Sequence, residues 1–181
     1  MNTKQKPLML DLGCGNKKRP GTIGVDYNAR VDSDISHDLN IFPYPFEAES
    51  VDRIYIDNCL EHLDRPLSVM EELHRILKPG GEVKVIVPYF RSPSAFHDPT
   101  HKTFYTTLSF SYYDPENPIC ASYDYTKAHF KVKKIVFHEH LRSGFIKSMI
   151  VSLANKWPSV YENIFSSIFP LHEISYYLKK I

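Results

Sequence analysis

The sequence predicts an α/β protein built on a mainly parallel β-sheet, and three observations indicate this class. Short apolar or β-branched segments alternate along the chain with segments of helical periodicity. With 181 residues, 43% of them apolar, the chain can bury one sizeable core, so we expect a single domain. Acidic and glycine residues follow directly after several predicted strands, where parallel sheets bind their ligands. We expect helices on both faces of this sheet.

Five strands and one helix are predicted in the first half of the chain. The strands are "PLMLDLG", "TIGVDY", a weaker one in "VDSDISHDL" that ends near Asp38, "VDRIYIDN" and "EVKVIVPYF", with a proline-rich loop, "IFPYPFEAES", before the fourth. The helix lies in "CLEHLDRPLSVMEELHRILKPGG", where apolar residues recur at helical spacing. Asp64 is expected to cap this helix, Pro66 to occupy its first turn, and Pro79 with the two glycines after it to end it.

The second half of the chain is less regular. "RSPSAFHDPTHKTFYTT" has no period and is predicted to be a long loop, with Thr106 or Thr107 capping a helix in "LSFSYY". "HFKVKKIVFHEHLR" is a sixth strand and "SGFIKSMIVSLANKW" a helix ended by Pro158. "SVYENIFSSIF" is a further helix, with Ser159 and Glu162 at capping-box spacing. The closing "LHEISYYLKK" alternates like an edge strand.

Composition narrows the functional classes. Three cysteines at unrelated spacings argue against a disulfide framework and against a zinc site of paired cysteines, so we expect a reducing, cytoplasmic setting. No apolar segment has the length of a signal peptide or of a membrane span. After residue 120 nine Lys/Arg stand against four acidic residues, but they are mixed with apolar helices and form no phosphate-binding stripe. We therefore expect no nucleic acid partner.

A nucleotide-type site is predicted where the first two strands end. In "LMLDLGCGNKKRPGTIGVD", Gly13 and Gly15 allow a sharp turn and the close approach of a ligand, although two glycines after a strand are also typical of an ordinary turn. Asp26 can accept hydrogen bonds from both hydroxyls of a ribose, which suits nicotinamide cofactors and S-adenosylmethionine equally. Asp38 ends the third strand, where it either accepts the exocyclic amine of an adenine or caps a turn.

The ordered set "LDLGCG", "GVD", "HDL", "DNCLEHL" and "LKPGGEVKVIVP" resembles the class I S-adenosylmethionine-dependent methyltransferases. It is closest to a small type 11-like subgroup with shortened early helices that is often associated with surface-glycan or natural-product methylation. The resemblance covers residues 8–90 and continues more loosely through "DPTHKTFYT". It implies one Rossmann-like methyltransferase domain over residues 1–181, with a cofactor-binding half at 1–90 and an acceptor-side half at 91–181 that carries a helical insertion at about 144–169. The implied strand order is 3-2-1-4-5-7-6, with the last strand antiparallel.

The resemblance also implies S-adenosylmethionine as the cofactor, held by residues that follow the first four strands. Its amino acid end would lie against Asp11 and the backbone of Gly13, Cys14 and Gly15, its ribose at Asp26, its adenine beside Tyr27, Asp38 and the Leu39 backbone, and its methyl group above Asn58.

The short interval between Gly15 and Asp26 departs from the family pattern. Only ten residues separate them, so the first crossover helix is at most one turn, and most of the helix dipole that would face the cofactor's carboxylate is lost. We predict that one of Lys17, Lys18 and Arg19 supplies this positive charge, with Lys17 placed among the cofactor-binding residues. The alternative is a solvated basic turn.

The acceptor side is predicted in "AFHDPTHKTFYTT". Methyl transfer to a hydroxyl or an amine needs in-line approach and a group that takes the proton. His97 and His101 flank Asp98, and a histidine paired with a carboxylate is a base near neutral pH, so these three are the predicted catalytic residues. The alternative is that they are hydrogen-bonded loop residues, and His62 is a further candidate.

A metal site formed by His97, Asp98 and His101 together with His138 or His140 is an alternative for the same loop. Pro99 prevents a regular helix there, so the spacing of the two loop histidines does not by itself place both rings on one face. We therefore predict no metal site.

The combined prediction is methyl transfer from S-adenosylmethionine to a small-molecule or glycan-type acceptor, on oxygen by analogy with the subgroup. One alternative is a catalytically silent protein that binds the cofactor and acts as a partner of another enzyme. The other is an NAD-dependent oxidoreductase, which is disfavoured because Lys18 stands where a third glycine would be.

Residues 145–169 are rich in large apolar side chains, and nineteen of the 24 aromatic residues of the chain follow residue 88. Most of the apolar side chains of 145–169 are expected to pack in the core. The others are predicted to cover the acceptor cleft, to form a homodimer face or to make a peripheral membrane contact.

Overall fold

The protein forms one seven-stranded sheet of order β3-β2-β1-β4-β5-β7-β6, in which β7 runs antiparallel to both of its neighbours and the other pairs are parallel. The computed structural model describes residues 6–138 and 144–181. The strands are β1 (Met9–Leu12), β2 (Ile23–Asp26), β3 (Ile35–Ser36), β4 (Val51–Asp57), β5 (Leu77–Pro88), β6 (Phe130–His138) and β7 (Glu173–Lys180). The predicted fold class and strand order are confirmed.

Within residues 6–138 and 144–181, five α-helical segments and several shorter turns connect the strands. The helices are α1 (Pro66–Ile76), α2 (Ser94–His97), α3 (Pro118–Tyr123), α4 (Phe145–Lys156) and α5 (Pro158–Val160). The short turns are 3-10 segments at Gly15–Lys17, Leu60–His62 and Ser111–Tyr113, and a π-helical segment at Tyr161–Phe165. None of the helices in the described ranges is long and apolar enough to cross a bilayer.

The early crossover helices are missing, as the spacing before Asp26 predicts. A single 3-10 turn, Gly15–Lys17, connects β1 to β2, and no helix occurs between β2 and β3. Side chains therefore alternate in burial along the central strands: Ile54 and Ile56 of β4 are fully buried, while Arg53 is exposed and Tyr55 half-buried. The expectation of helices on both faces is wrong for this part of the sheet, because the chain between β1 and β3 is too short to form them.

The open face of the sheet carries polar and aromatic side chains in place of helix contacts. It forms a shallow depression of about 330 Å³ lined by Arg53, Tyr55, Glu82, Val83, Lys84, Lys133, Tyr177 and Leu178. Arg53 forms an ion pair with Glu82 across β4 and β5, and the Lys84 ammonium lies 5.6 Å from the centre of the Tyr177 ring. These cross-strand pairs make the face compatible with water.

The helix after β4 is shorter than predicted. Residues 60–62 form a 3-10 turn, and α1 begins only at Pro66, with Arg65 at the N-cap and no side-chain cap, so the prediction that Asp64 caps it is wrong. The helix ends at Ile76, because Leu77 already pairs with β4. Pro79 and the following glycines form a bulge within β5 and do not end the helix.

Two other capping predictions are wrong because tertiary contacts take the side chains. Glu162 forms no capping box with Ser159; its carboxylate accepts hydrogen bonds from the backbone N–H and the hydroxyl of Thr107, both at 2.8 Å. Thr106 caps no helix either, since its Oγ1 accepts from Leu108 N within a turn. The closing segment is an interior strand, because β7 lies between β5 and β6.

Residues 145–169 form α4, α5 and the π-helical segment between β6 and β7, and most of their large apolar side chains are exposed. Ile150 is buried, whereas the exposed fractions of Phe145, Ile146 and Ile168 are 85%, 62% and 70%. The expectation that most of this segment packs in the core is therefore wrong. The segment offers a broad apolar surface that carries Lys147 and Lys156.

Candidate functional site

The carboxyl ends of β1, β2 and β4 lie side by side and border a cavity of about 720 Å³. The cavity is lined by Gly13, Asp26, Tyr27, His37, Asp38, Leu39, Asn40, Asn58, Cys59, His62, Leu63, Pro99, Thr100 and Lys102. Six of the ten predicted cofactor residues are among them. Asp11, Cys14, Gly15 and Lys17 are not.

Gly13 is required by a close contact in the floor of the cavity. Its φ is 66°, which favours glycine, and a Cβ at this position would lie 2.3 Å from Cys59 Sγ. The Gly13 and Cys14 N–H groups both donate to Val25 O, at 2.8 and 3.3 Å. The turn therefore holds β1 against β2 with its amides and leaves few of them for a ligand.

Asp26 and Asp38 contribute carboxylates to the cavity wall. Asp26 Oδ2 accepts from Gly15 N at 3.0 Å and its Oδ1 from Asn28 N at 2.9 Å, so backbone contacts fix the side chain. Asp38 Oδ1 accepts from the backbone of Asn40 at 2.9 Å. Both oxygens of Asp26 keep a further lone pair for a ligand hydroxyl or amine, whereas at Asp38 only Oδ2 does, because Oδ1 also accepts from Asn40 Nδ2 at 3.2 Å.

The other predicted contacts differ in how firmly they are held. Leu39 is buried, and its carbonyl accepts a hydrogen bond from the Tyr44 hydroxyl at 2.9 Å. The Asn58 amide donates to Glu173 Oε1 at 2.9 Å, which ties the end of β4 to β7. Tyr27 is 73% exposed and stands at the mouth of the cavity.

Asp11 supports the turn from below the cavity. It is 3% exposed, and its Oδ2 accepts from Arg19 N at 2.7 Å. Burial raises the pKa of this carboxyl group, against the hydrogen bond from Arg19 N, which lowers it. The Arg19 guanidinium forms an ion pair with Asp57 and lies 4.7 Å from the centre of the Tyr55 ring.

The three basic residues of the short crossover have different environments. Arg19 is engaged as described above, and the Lys18 ammonium donates to both oxygens of Asp34 at 2.9 Å. Lys17 ends the 3-10 turn and is exposed, and in the part of the chain that the structure describes it forms no ion pair. Of the three, Lys17 has the ammonium that is free for a ligand.

Two histidines meet at the other end of the cavity. His62 lines the cavity, and its ring centre lies 4.7 Å from that of His101. His62 Nδ1 lies 2.8 Å from Thr100 Oγ1, whose hydroxyl donates to Asp98 Oδ1 at 2.6 Å. The hydrogen bonds from Thr100 lower the pKa of Asp98, and burial together with the neighbouring His101 lowers the pKa of His62.

The predicted catalytic residues are thus separated. The His101 ring packs against the His62 ring, and Asp98 contacts His62 through the Thr100 hydroxyl. His97 is exposed at the end of α2 and does not line the cavity. His138 bonds Ser175 Oγ at 2.8 Å on the sheet, and His140 lies outside the described residues.

Glu61 is a functional candidate that the sequence reasoning missed. It is 1% exposed, and neither carboxylate oxygen has a hydrogen-bond partner among the described residues. Burial raises its pKa to about 7, and the charges of Glu173 and Asp98 add to that rise. His101 Nε2 is the neighbouring base, 3.9 Å from Glu61 Oε1. The signal was its position directly before His62 in "CLEHL", just past the end of β4.

Comparisons with known proteins support the fold described above. Residues 10–85 match the family model described as a methyltransferase domain. No curated protein matches the sequence. The fold is similar to that of an S-adenosylmethionine-dependent methyltransferase from Archaeoglobus fulgidus, with a TM-score of 0.63, 18% identity, and coverage of 98% of this chain and 87% of that one.

Two further solved structures have the same fold. An S-adenosylmethionine-dependent methyltransferase from Mesorhizobium loti has a TM-score of 0.56 and 13% identity, over 95% of this chain and 90% of that one. A chain of the Haloferax volcanii complex between the Trm112 methyltransferase activator and a methyltransferase has a TM-score of 0.57 and 18% identity, over 96% and 82%.

Proposed function

We propose that the chain is a class I S-adenosylmethionine-dependent methyltransferase and that it methylates a hydroxyl group of a small-molecule or glycan-type acceptor. The observation that carries the proposal is the continuity of one cavity from the carboxylates of Asp26 and Asp38 to the ring of His62. A cofactor and an acceptor group can therefore share it.

The donor set of the cavity fits S-adenosylmethionine. Asp26 and Asp38 retain lone pairs for the ribose hydroxyls and the adenine amine, and carboxylates also suit the positive sulfonium. Asn58 and the backbone of Leu39 line the same space. When bound, S-adenosylmethionine supplies a methyl group on a sulfonium, ready for displacement.

The amino acid end of the cofactor needs a different partner from the one that glycine-turn amides usually provide. The amides of Gly13, Cys14 and Gly15 donate within the protein, so our proposed partner for the cofactor's carboxylate is Lys17, whose exposed side chain does not line the cavity and has to extend towards the bound cofactor. Asp11 contributes indirectly, by holding the Arg19 backbone at the end of the turn. The same engaged amides disfavour a dinucleotide, whose pyrophosphate needs free N–H groups at a helix N-terminus.

We assign proton removal from the acceptor to the pair of His62 and His101, with Asp98 as a positioning residue that acts through Thr100. The lowered pKa of His62 keeps its ring neutral and able to accept a proton near neutral pH. His97 has no such place in the proposal, since it is exposed outside the cavity.

We further propose that residues 145–169 form a contact surface and that the protein is located in the cytoplasm. Phe145, Ile146 and Met149 expose large apolar side chains next to Lys147, which suits peripheral contact with a membrane that carries a lipid-linked glycan, or a homodimer face. A cytoplasmic location is supported by the three cysteines, which are all free.

Formation of S-adenosylhomocysteine tests the activity. The protein is incubated with S-adenosylmethionine and panels of hydroxylated metabolites, sugars and glycolipids. S-adenosylhomocysteine formed with any acceptor excludes the alternative that the chain is a catalytically silent partner of another enzyme. The Haloferax volcanii structure, in which a methyltransferase is bound to an activator protein, is the reason to test that alternative. Turnover only with amine acceptors would overturn the oxygen assignment. A calorimetric titration in which NAD binds more tightly than S-adenosylmethionine would overturn the cofactor.

A matched pair of variants tests the site. Asp26→Ala removes hydrogen bonds to a bound ribose, each worth about 1.5–3 kcal/mol for a charged acceptor, so affinity for S-adenosylmethionine should fall at least about tenfold. Asp32→Ala removes an exposed carboxylate from the same loop, outside the cavity, and should leave affinity within twofold. Equal effects of the two changes would contradict the assignment.

A further inference from the structure

Three potential ligand groups converge beside the acceptor end of the cavity. Glu61 and His62 lie in the 3-10 turn after β4, and His101 lies in the loop after α2. One donor atom from each of the three lies within 4.8 Å of the others. The backbone holds the two segments together, because Lys102 N donates to Glu61 O at 2.8 Å.

The contacts of Nδ1 in both rings leave Nε2 as the unprotonated nitrogen. His101 Nδ1 lies 3.0 Å from Ala95 O, and since a carbonyl can only accept, Nδ1 carries the proton and Nε2 the lone pair. The Thr100 hydroxyl gives its proton to Asp98, so it accepts from His62 Nδ1, which leaves the lone pair of His62 on Nε2. Metal-binding histidines are typically oriented in this way, through a bond from the second nitrogen.

The cluster therefore consists of acceptors that face one another without a donor. Both Glu61 oxygens are buried and unpartnered among the described residues, which is costly for a carboxylate. The surrounding charges are also negative, since Asp98 and Glu173 both act on Glu61. The nearby Lys102 ammonium pairs with Asp64 instead, at 2.6 Å. The site lacks one positive charge.

The geometry points to a binding site for a divalent transition-metal cation, held by one oxygen of Glu61 and by Nε2 of His62 and of His101. Two imidazoles with one carboxylate suit Zn²⁺ and its first-row neighbours better than Mg²⁺ or Ca²⁺, which prefer oxygen ligands. Tetrahedral ligands at about 2.1 Å from zinc lie about 3.4 Å apart, so side-chain movements of about 1 Å close the site. His62 borders the cavity, so the site adjoins the end of the cavity that the proposed function gives to the acceptor.

Binding of the cation stands apart from methyl transfer, and only its role at the acceptor rests on the proposed function. In the metal-bound protein the two histidines act as ligands, and the cation replaces the proton that the cluster would otherwise take up. Cation binding and proton uptake by this histidine pair are therefore alternatives, and the pair acts as the acceptor's base in the metal-free protein.

Calorimetric titration of the chelator-treated protein with Zn²⁺ alone tests the inference, with Co²⁺ as a spectroscopic probe. We expect one cation per chain and a visible Co²⁺ absorption of low-coordinate type. Glu61→Gln and His101→Ala should each weaken Zn²⁺ binding at least tenfold. His129→Ala is the control, because His129 lies at the opposite end of the sheet, beside Ile181, and should bind as the wild type does.

The half-exposed His62 provides a variant that is expected to fold, so His62→Ala keeps the test decisive if Glu61→Gln melts early. Absence of stoichiometric binding, or equal weakening in the control and cluster variants, would overturn the inference. Zinc binding without S-adenosylhomocysteine formation from any acceptor would leave the metal site standing and refute the activity. Turnover by a protein that binds no metal would support the methyltransferase activity and refute the metal site.

Discussion

Replacement of Gly13 by alanine provides a direct test of how the cavity floor is built. The new Cβ would lie 2.3 Å from Cys59 Sγ and 2.7 Å from Cys59 Cβ, far inside contact distance. Gly13 also has a φ of 66°, where an L side chain costs about 1–2 kcal/mol. The steric and the conformational contributions must be separated before the contact itself is tested.

Gly15→Ala is the matched control, because Gly15 has a φ of 50° but a Cβ added there would have no atom within 4 Å. The two variants share the backbone strain and differ in the collision. Overpacking costs about 1–3 kcal/mol, so Gly13→Ala should lose that much more unfolding free energy than Gly15→Ala. At about 2–4 °C per kcal/mol for a chain of this size, its Tm should lie roughly 2–12 °C lower.

Urea unfolding and calorimetry of both variants, each alone and combined with Cys59→Ala, measure the difference. Removal of Sγ should recover part of the loss in Gly13→Ala and none in Gly15→Ala, as a coupling between residues in contact. Equal Tm values for the two glycine variants, or the absence of coupling to Cys59, would refute the close packing of the turn against the end of β4.

Other predictions concern charge and reactivity. Lys17→Ala should weaken S-adenosylmethionine binding about two- to fivefold at low salt, which corresponds to an exposed ion pair of about 0.4–1 kcal/mol. Lys18→Ala should have less effect, because Lys18 already pairs with Asp34. Affinities within twofold of wild type for both variants would refute the proposal that Lys17 binds the cofactor's carboxylate. Burial raises the pKa of all three thiols, that of Cys59 to about 12. A thiol reagent at pH 8 should therefore react slowly with the native protein and should modify three thiols per chain only after unfolding. Fast reaction of the native protein would contradict this burial. A hydrogen bond from Lys78 holds the pKa of Asp52 below its ordinary value of 3.8, so its stabilisation exists above that pH and is lost as the pH falls through the folded pKa. The stability gap between wild type and Asp52→Asn in urea unfolding should therefore shrink from pH 6 to pH 3, and a constant gap would argue against the pair.

The sequence predicted the sheet well because its strands are defined locally. An apolar run bounded by proline and glycine marked β1, β-branched residues marked β5, and the ten residues before Asp26 were too few for a helix. Helix α3 was missed, although Asn117 caps it by accepting from Ile119 N at 3.0 Å and Pro118 occupies its first turn. Six residues carry too little periodicity to be distinguished from loop.

Side-chain partners were harder to predict than elements because distant segments decide them. Glu162 lies at capping-box spacing from Ser159, yet its carboxylate accepts hydrogen bonds from Thr107, which is 55 residues away in the sequence. Similarly, the positions of Asp26 and Asn58 could be predicted from the ends of the strands that precede them. The burial of Glu61 next to His101 could not be predicted in this way. Local spacing places a residue at the rim of the sheet, and only the folded loops determine what it faces.

The open face of the sheet changes where this chain can tolerate sequence variation. In a sheet clad on both sides, each outward residue of a central strand must fit a helix, so it is constrained by volume. Here Arg53 pairs with Glu82 and Lys84 lies over the Tyr177 ring, all on the same face, while the cavity lies at the strand ends. Polar exchanges at Arg53 and Lys84 should leave both folding and the cavity intact, which gives the molecule surface positions that can diverge independently of its chemistry.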